Sequence, residues 1–202
     1  MGNTLMIAGI AAIIGVILGV FFAMCNYVNK KTGKMKIVSS VAKTYITIIR
    51  GTPVVLSAWD NGILIGAITF GLNSGAYVAE IARSGFESVD DGQMEAGRSL
   101  GLTTAQTMTS IIIPQAVRNC LPPLFNEFIT LVKETAIVGY VGIRDLGKIP
   151  GMIQSRTFEY LPPLLISAVL YLAVVLVLTK ILHIMEARMA KSDRNGGKHN
   201  AK

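Results

Sequence analysis

A chain of 202 residues that is 51% hydrophobic and only 15% charged, with a mean hydropathy of +0.54, lacks the composition of a soluble domain and has that of a polytopic membrane protein. Its formal charge of +7 does not point to nucleic acid, because the lysines and arginines cluster beside apolar runs as the positive-inside rule requires and form no phosphate-tracking patch with interleaved aromatics. Two histidines (His183, His199) and two cysteines (Cys25, Cys120) assemble neither a metal-ligand cluster nor a nucleophile with its base, and no Walker A loop occurs, so no metal, cofactor or ATP hydrolysis by this chain is expected.

In chain order, residues 4–25 (TLMIAGIAAIIGVILGVFFAMC) are an uncharged run of the length, about 20 residues, that a helix needs to cross a bilayer. A cleaved signal peptide would carry its basic residues ahead of the apolar run, whereas Lys30, Lys31, Lys34 and Lys36 come after it, so a retained span is predicted. Those lysines, with no acid among residues 26–36, place the end of the span in the cytoplasm. Residues 37–61 make a poor span on hydropathy, since Lys43 and Arg50 are charged and Gly51 with Pro53 disturbs a helix. If the segment around Glu95 is also cytoplasmic, the chain crosses an even number of times before it. Helices over 38–58 and 62–82, with Trp59, Asp60 and Asn61 as the outer turn, meet that condition; so does a re-entrant segment that never fully crosses.

Residues 62–81 are dense in small side chains (Gly66, Ala67, Gly71, Ser74, Gly75), and the first span has Gly15 and Gly19 at GxxxG spacing, as close helix packing in lipid requires. Asn73, Tyr77 and Glu80 on this helix are candidates for lining a substrate path, or for tying helices together. The polar insert 83–123 carries explicit local signals. Asp90 with Gln93 resembles a capping arrangement, and Thr103 with Gln106 fits the capping box. Gly101 lies where a helix end wants positive φ, and Pro114 is expected to interrupt the second helix. The expected result is a helix of about eight residues, a glycine elbow and a second short helix, neither stable alone. Ala96 and Gly97 leave a bare patch beside Glu95 that suits a partner's groove; an amphipathic loop lying on its own bundle fits the same spacing equally well.

Residues 124–143 are predicted as the next helix. Glu127 and Glu134 are seven residues apart and project the same way, with Thr130 between them, so they could hold the ammonium of an amino acid in a translocation path. The competing reading makes Glu127 interfacial and pairs Glu134 with a basic residue of a second subunit. The loop 143–162 has three basic and two acidic residues, a weak bias that suits the outer side. Residues 162–179 form the last span, and six Lys or Arg against two acids from Lys180 onward put the C-terminus inside, leaving the N-terminus outside. Both cysteines then fall on the cytoplasmic side, where free thiols are the default.

The stretch EAGRSLGLTTAQTMTSIIIP (95–114) resembles the EAA motif of ABC transporter permeases: Glu95, Ala96, Gly101, Ile111 and Pro114 match at the family spacing, with Gly97 for the second alanine and Ile113 for the leucine. YITIIRGTP (45–53), NSGAYVAEIARSG (73–85), DDGQMEAGRSLGL (90–102) and LPPLFNEFITLVKETAIVGYVGIRDL (121–146) are similar to the polar amino acid branch, so the resemblance covers most of residues 4–185. It implies an all-α polytopic protein of about five transmembrane helices, one permease domain over 1–185 followed by a basic cytoplasmic tail, 186–202. It further implies a place in a bacterial inner-membrane importer of polar amino acids. The implied partners are a second permease subunit, like or unlike, two ABC ATPase subunits and an extracytoplasmic amino-acid-binding protein. Glu95, Ala96, Gly97, Gly101, Ile111 and Pro114 would then seat in the ATPase. Only 19 residues separate Pro53 from Asn73, fewer than the family usually carries. That departure supports a second expectation, a shortened, non-transporting permease that only binds partner subunits. An ion-coupled carrier is disfavoured, since no internal repeat is found.

Overall fold

The computed structural model describes residues 2–33, 35–51, 62–141 and 143–199, and among them it is helical with no strand. Helix α1 covers Gly2–Thr32, α2 Lys36–Gly51, α3 Gly62–Glu87, α4 Gly92–Ser99 and α5 Thr104–Thr107. A π turn over Met108–Ile112 leads into α6, Ile113–Glu134, which passes into a 3-10 segment, Thr135–Val141. Helices α7, Ile149–Thr157, and α8, Leu161–His199, complete the chain. Among the described residues three helices are long and apolar enough to cross a membrane: Gly2–Lys30, Ile63–Glu87 and Leu161–Lys191. Among the described residues α2, at 16 residues, is too short to be one of them, and α6 is not apolar enough. The expected outer turn at Trp59, Asp60 and Asn61, and Pro53 of the GTP motif, lie outside the described residues.

The core is an α1/α3 pair crossed by α6. Ile7, Ala8 and Ala11 of α1, Phe70 of α3, Leu131 and Val132 of α6, and Val138 and Ile143 beyond it form one buried cluster, with Phe128, Val174 and Leu178 against its flank. Glycines set the α1/α3 distance from both sides: a β-carbon at Gly15 would lie 2.8 Å from Ser74 Oγ, and one at Gly71 would lie 2.7 Å from Ile14 Cβ. Helix α2 exposes apolar residues among its charged and hydroxyl ones. It turns Ser39 and Ala42 inward and Ile37, Val41 and Ile48 outward, with Ser39 Oγ donating to Asn26 Oδ1 of α1 at 2.7 Å.

Three sequence boundaries move. Helix α3 runs on to Glu87, and α6 begins at Ile113 and ends at Glu134, so the excursion between them is 88–112 rather than 83–123, and the helix expected over 124–143 lies earlier. Helix α6 winds through Pro122 and Pro123, neither of which can donate to its hydrogen-bond ladder. Beyond Glu134 the backbone packs closely: a β-carbon on Gly147 would lie 2.8 Å from the Ala136 carbonyl oxygen. Finally, α8 continues unbroken to His199, so no structural boundary marks residue 185.

Candidate functional site

The excursion from the membrane bundle is assembled from local rules. Asp90 Oδ1 accepts the Gly92 N–H at 2.7 Å, so α4 opens on an Asx turn. The expected return arm from Gln93 is not made; Gln93 Oε1 instead accepts from Gln115 Nε2 of α6 at 3.4 Å. Helix α4 closes in a Schellman motif, with the Leu102 N–H returning to Gly97 O at 3.1 Å, the Gly101 N–H to Arg98 O at 3.0 Å, and Gly101 at φ +82°. Helix α5 opens on the predicted reciprocal capping box: Thr103 Oγ1 accepts the Gln106 N–H at 3.3 Å while Gln106 Oε1 accepts the Thr103 N–H at 2.9 Å.

Pro114 does not interrupt the second helix. In a regular α-helix its ring would clash with the carbonyl four residues back, and the π turn at Met108–Ile112 widens the winding there, so α5 and α6 form one continuous rod. One side of the excursion is seated on the bundle through Phe86, Ile112 and Ala116, with Tyr27, Val89, Met94, Met108 and Ile113 around them. The other side is open. Glu95, Ala96 and Gly101 are exposed, Ile111 is half-buried and Pro114 is exposed in the first turn of α6. Gly97 is not part of an outward bare patch. It is buried against Thr107, and a β-carbon there would come 2.7 Å from Thr107 Oγ1. Leu100, at the tip of the elbow, is 80% exposed and adds an apolar contact outside the positions that define the motif.

Within the bundle the polar candidates separate into two faces of α3. Ser74, fully buried at mid-helix, donates to Glu127 Oε1 at 2.9 Å, so Glu127 meets the middle of α3 rather than its C-terminal end. Glu134, two turns further along α6, is half-buried, and Thr130 Oγ1 is engaged with the Asn126 carbonyl at 3.1 Å. Asn73, Tyr77 and Glu80 repeat at helical spacing on a face about 100° away from Ser74. Arg50 of α2 lies over the Tyr77 ring, 5.2 Å from its centroid. Glu80 accepts from Arg83 Nε at 3.1 Å, Arg83 also pairs with Glu87, and Lys30 Nζ reaches Glu87 Oε1 at 3.2 Å, joining the C-terminal ends of α1 and α3. Near these groups a cleft of about 520 Å³ opens between α1, α2 and α3.

The family described as binding-protein-dependent transport system inner membrane component matches residues 5–191. This chain belongs to that family. A protein of Rickettsia bellii, provisionally named a glutamine transport system permease, is 37% identical over 94% of this chain and 90% of its own length. The arginine transport system permease ArtQ of Bacillus subtilis is 35% identical, again over 94% and 90%. A solved structure described as an amino acid ABC transporter with histidines superimposes with a TM-score of 0.84 at 40% identity, covering 92% of this chain and 90% of that one. The inward-facing MetNI methionine transporter, 20% identical with a TM-score of 0.70, shares the fold. The chain is therefore an all-helical, multi-pass inner-membrane permease of the ABC importer type.

For this permease, Glu95, Ala96 and Gly101 are exposed on α4 and its elbow, Ile111 and Pro114 lie further on where the π turn meets α6, and Gly97 lies beneath. One charged residue stands in the sequence only as loop charge. Asp145, 1% exposed, lies where the 3-10 segment, the start of α7 and α8 meet. An acid followed within three residues by Gly147 and Lys148 hints at a turn, but nothing in the pattern signals its burial.

Proposed function

We propose that this permease is the transmembrane subunit of an ATP-driven importer of polar amino acids. It would cross the bacterial cytoplasmic membrane five times with its N-terminus outside. It would work beside a second permease subunit, with two ATPase subunits that hydrolyse the ATP and an extracytoplasmic binding protein that delivers the amino acid. The observation that carries this reading is the exposed ridge of Glu95, Ala96, Leu100 and Gly101 on α4 and its elbow, seated through Gly97 on Thr107 of the rod that is continuous with α6. An ATPase that moves that ridge moves a membrane-crossing lever, and so biases inward-open against outward-open states. Among the described residues, the Glu95 carboxylate has no ion-pair partner within the chain, which leaves it for a cation on the ATPase.

Glu95→Lys is expected to lower ATP-dependent uptake of glutamine or arginine by at least about tenfold, because a like charge then faces the partner's cation. The level of inserted permease should not change. Uptake is read with radiolabelled amino acid in intact cells, beside membrane levels of the permease; normal uptake in the variant would overturn the assignment of the ridge.

The membrane carboxylates belong to the same reading. Glu127 and Glu134 on one face of α6 are proposed to hold the substrate ammonium, with Asn73, Tyr77 and Glu80 facing the α2 side of the path. Glu134→Ala should reduce uptake by about tenfold with ATPase binding intact, as expected when one member of a half-buried charge pairing is removed. Wild-type uptake by that variant would leave Glu134 a packing residue.

A further inference from the structure

Asp145 is the one buried charged side chain among those described. Its Oδ1 accepts the backbone N–H of Lys148 at 2.9 Å, and its Oδ2 accepts from Tyr171 OH of α8 at 3.3 Å. Lys148 is the N-cap residue of α7, so one carboxylate fixes the start of α7 to the side of α8. Two more bonds lock the same turn: Asn3 Nδ2 of α1 donates to Arg144 O at 2.9 Å, and Ser167 Oγ of α8 donates to Leu146 O at 3.0 Å. Gly139 of the 3-10 segment completes the clamp, since a β-carbon there would lie 3.1 Å from Asp145 Oδ1. A carboxylate held by two neutral donors is an expensive way to fill a core, which an apolar residue would fill at lower cost. What it supplies is direction.

The direction in question is that of α7. Only Pro150 of this helix is buried, and the helix lies on α8 beside a cavity of about 740 Å³ lined by residues including Gly139, Lys148, Met152, Ser155 and Tyr171. It therefore projects from its clamped N-terminal end. At its far end Phe158 is 92% exposed and takes a left-handed φ of 60°, a conformation that costs a non-glycine residue about 1 kcal/mol and here holds an aromatic ring outward. A short helix clamped at one end, with an apolar tip turned outward, is a contact element awaiting a partner.

We propose that Asp145 is a positioning residue: through Lys148 and Tyr171 it sets the angle at which α7 meets the loaded binding protein. This rests on the topology given under the proposed function, which puts α7 outside. The test uses the permease assembled with its ATPase subunits in lipid nanodiscs and titrated with the system's binding protein saturated with glutamine or arginine. Asp145→Ala should raise the half-saturating concentration of binding protein about tenfold, as expected for losing a hydrogen-bonded buried charge, with basal ATP hydrolysis and yield of the complex unchanged. Asp145→Asn should restore most of the wild-type behaviour, since the amide oxygen can accept from Lys148 N–H and the amide N–H can donate to the Tyr171 oxygen. Tyr171→Phe, which removes one hydroxyl and leaves the packing, should raise the half-saturating concentration about threefold and decides the matter if Asp145→Ala fails to assemble. Unaltered half-saturation in Asp145→Ala and Tyr171→Phe, or an Asp145→Asn as defective as Ala, overturns the proposal. A wild-type complex that the loaded binding protein does not stimulate overturns the importer reading and this proposal with it.

Discussion

Gly97→Val is expected to abolish ATP-driven uptake in membranes that still hold the inserted permease at its normal level. The first added atom already collides: a β-carbon at residue 97 would overlap Thr107 Cγ2 and lie 2.7 Å from its Oγ1. Thr107 has nowhere to turn, being fully buried with its hydroxyl donating to the Thr103 carbonyl at 3.1 Å. Overpacking of this kind costs about 1–3 kcal/mol, and an eight-residue helix with so little stability of its own will leave α5 rather than absorb it. The ridge carrying Glu95 and Leu100 is then no longer held at a fixed angle to α6, so a loss of at least about tenfold in uptake is expected from the same energy.

The family motif has alanine at this place, and in this chain Thr107 fills the room its methyl would need. Gly97→Ala combined with Thr107→Ala should therefore transport better than Gly97→Ala alone, a coupling that a double-mutant cycle isolates. The measurement is uptake together with ATPase activity in proteoliposomes. Normal transport by Gly97→Val would show that the Gly97–Thr107 contact does not hold the ridge, and no rescue in the double variant would show that Gly97 faces a partner after all.

Gly97 also marks where sequence reasoning stops. Much of the coupling segment that depends on residues within a few positions of one another is legible: the Thr103 and Gln106 box, the eight-residue length of α4, and the positive φ at Gly101 all come from side-chain and backbone rules that act locally, whereas Gln93 leaves its local arrangement for Gln115 of α6. Which way Gly97 points depends on where α5 docks, ten residues away, so a bare patch that suits a partner in the sequence belongs to the chain's own packing in the fold. Pro114 departs from expectation for a related reason. A proline forbids a regular helical turn but not a widened one, and the π turn before it cannot be anticipated from proline's propensity. In the membrane, spacing groups Glu127 with Glu134 and Asn73 with Tyr77 and Glu80. It does not reveal that Ser74, on a different face of α3, is what Glu127 meets, because helix rotation is fixed by small-residue packing between helices. Asp145 is least legible of all, since burial of a loop carboxylate is created by three elements that converge only in the fold.

That packing yields the largest expected effect on the fold itself. Gly19→Leu should prevent α1 from pairing with α3, so that the permease either fails to accumulate or is rapidly degraded, whereas Gly9→Leu on the same helix should accumulate normally. A β-carbon at Gly19 would come 2.7 Å from the backbone nitrogen of Ala79, which has no rotamer to change, while Gly9 has nothing within 4 Å. Between helices in lipid there is no hydrophobic driving force to outweigh such a clash, because a helix pushed off its neighbour is solvated equally well by acyl chains. The contact is reciprocal, with Gly15 and Gly19 of α1 receiving Ser74 and Val78, and Gly71 and Gly75 of α3 receiving Ile14 and Leu18. Separation at one point therefore propagates along the pair. It also turns Ser74 away from Glu127, so damage to an α1 glycine far from any carboxylate should still deprive Glu127 of its hydrogen bond. Membrane levels and protease resistance of the two leucine variants measure this directly, and equal behaviour of Gly19→Leu and Gly9→Leu would mean that the α1/α3 interface does not hold the bundle together.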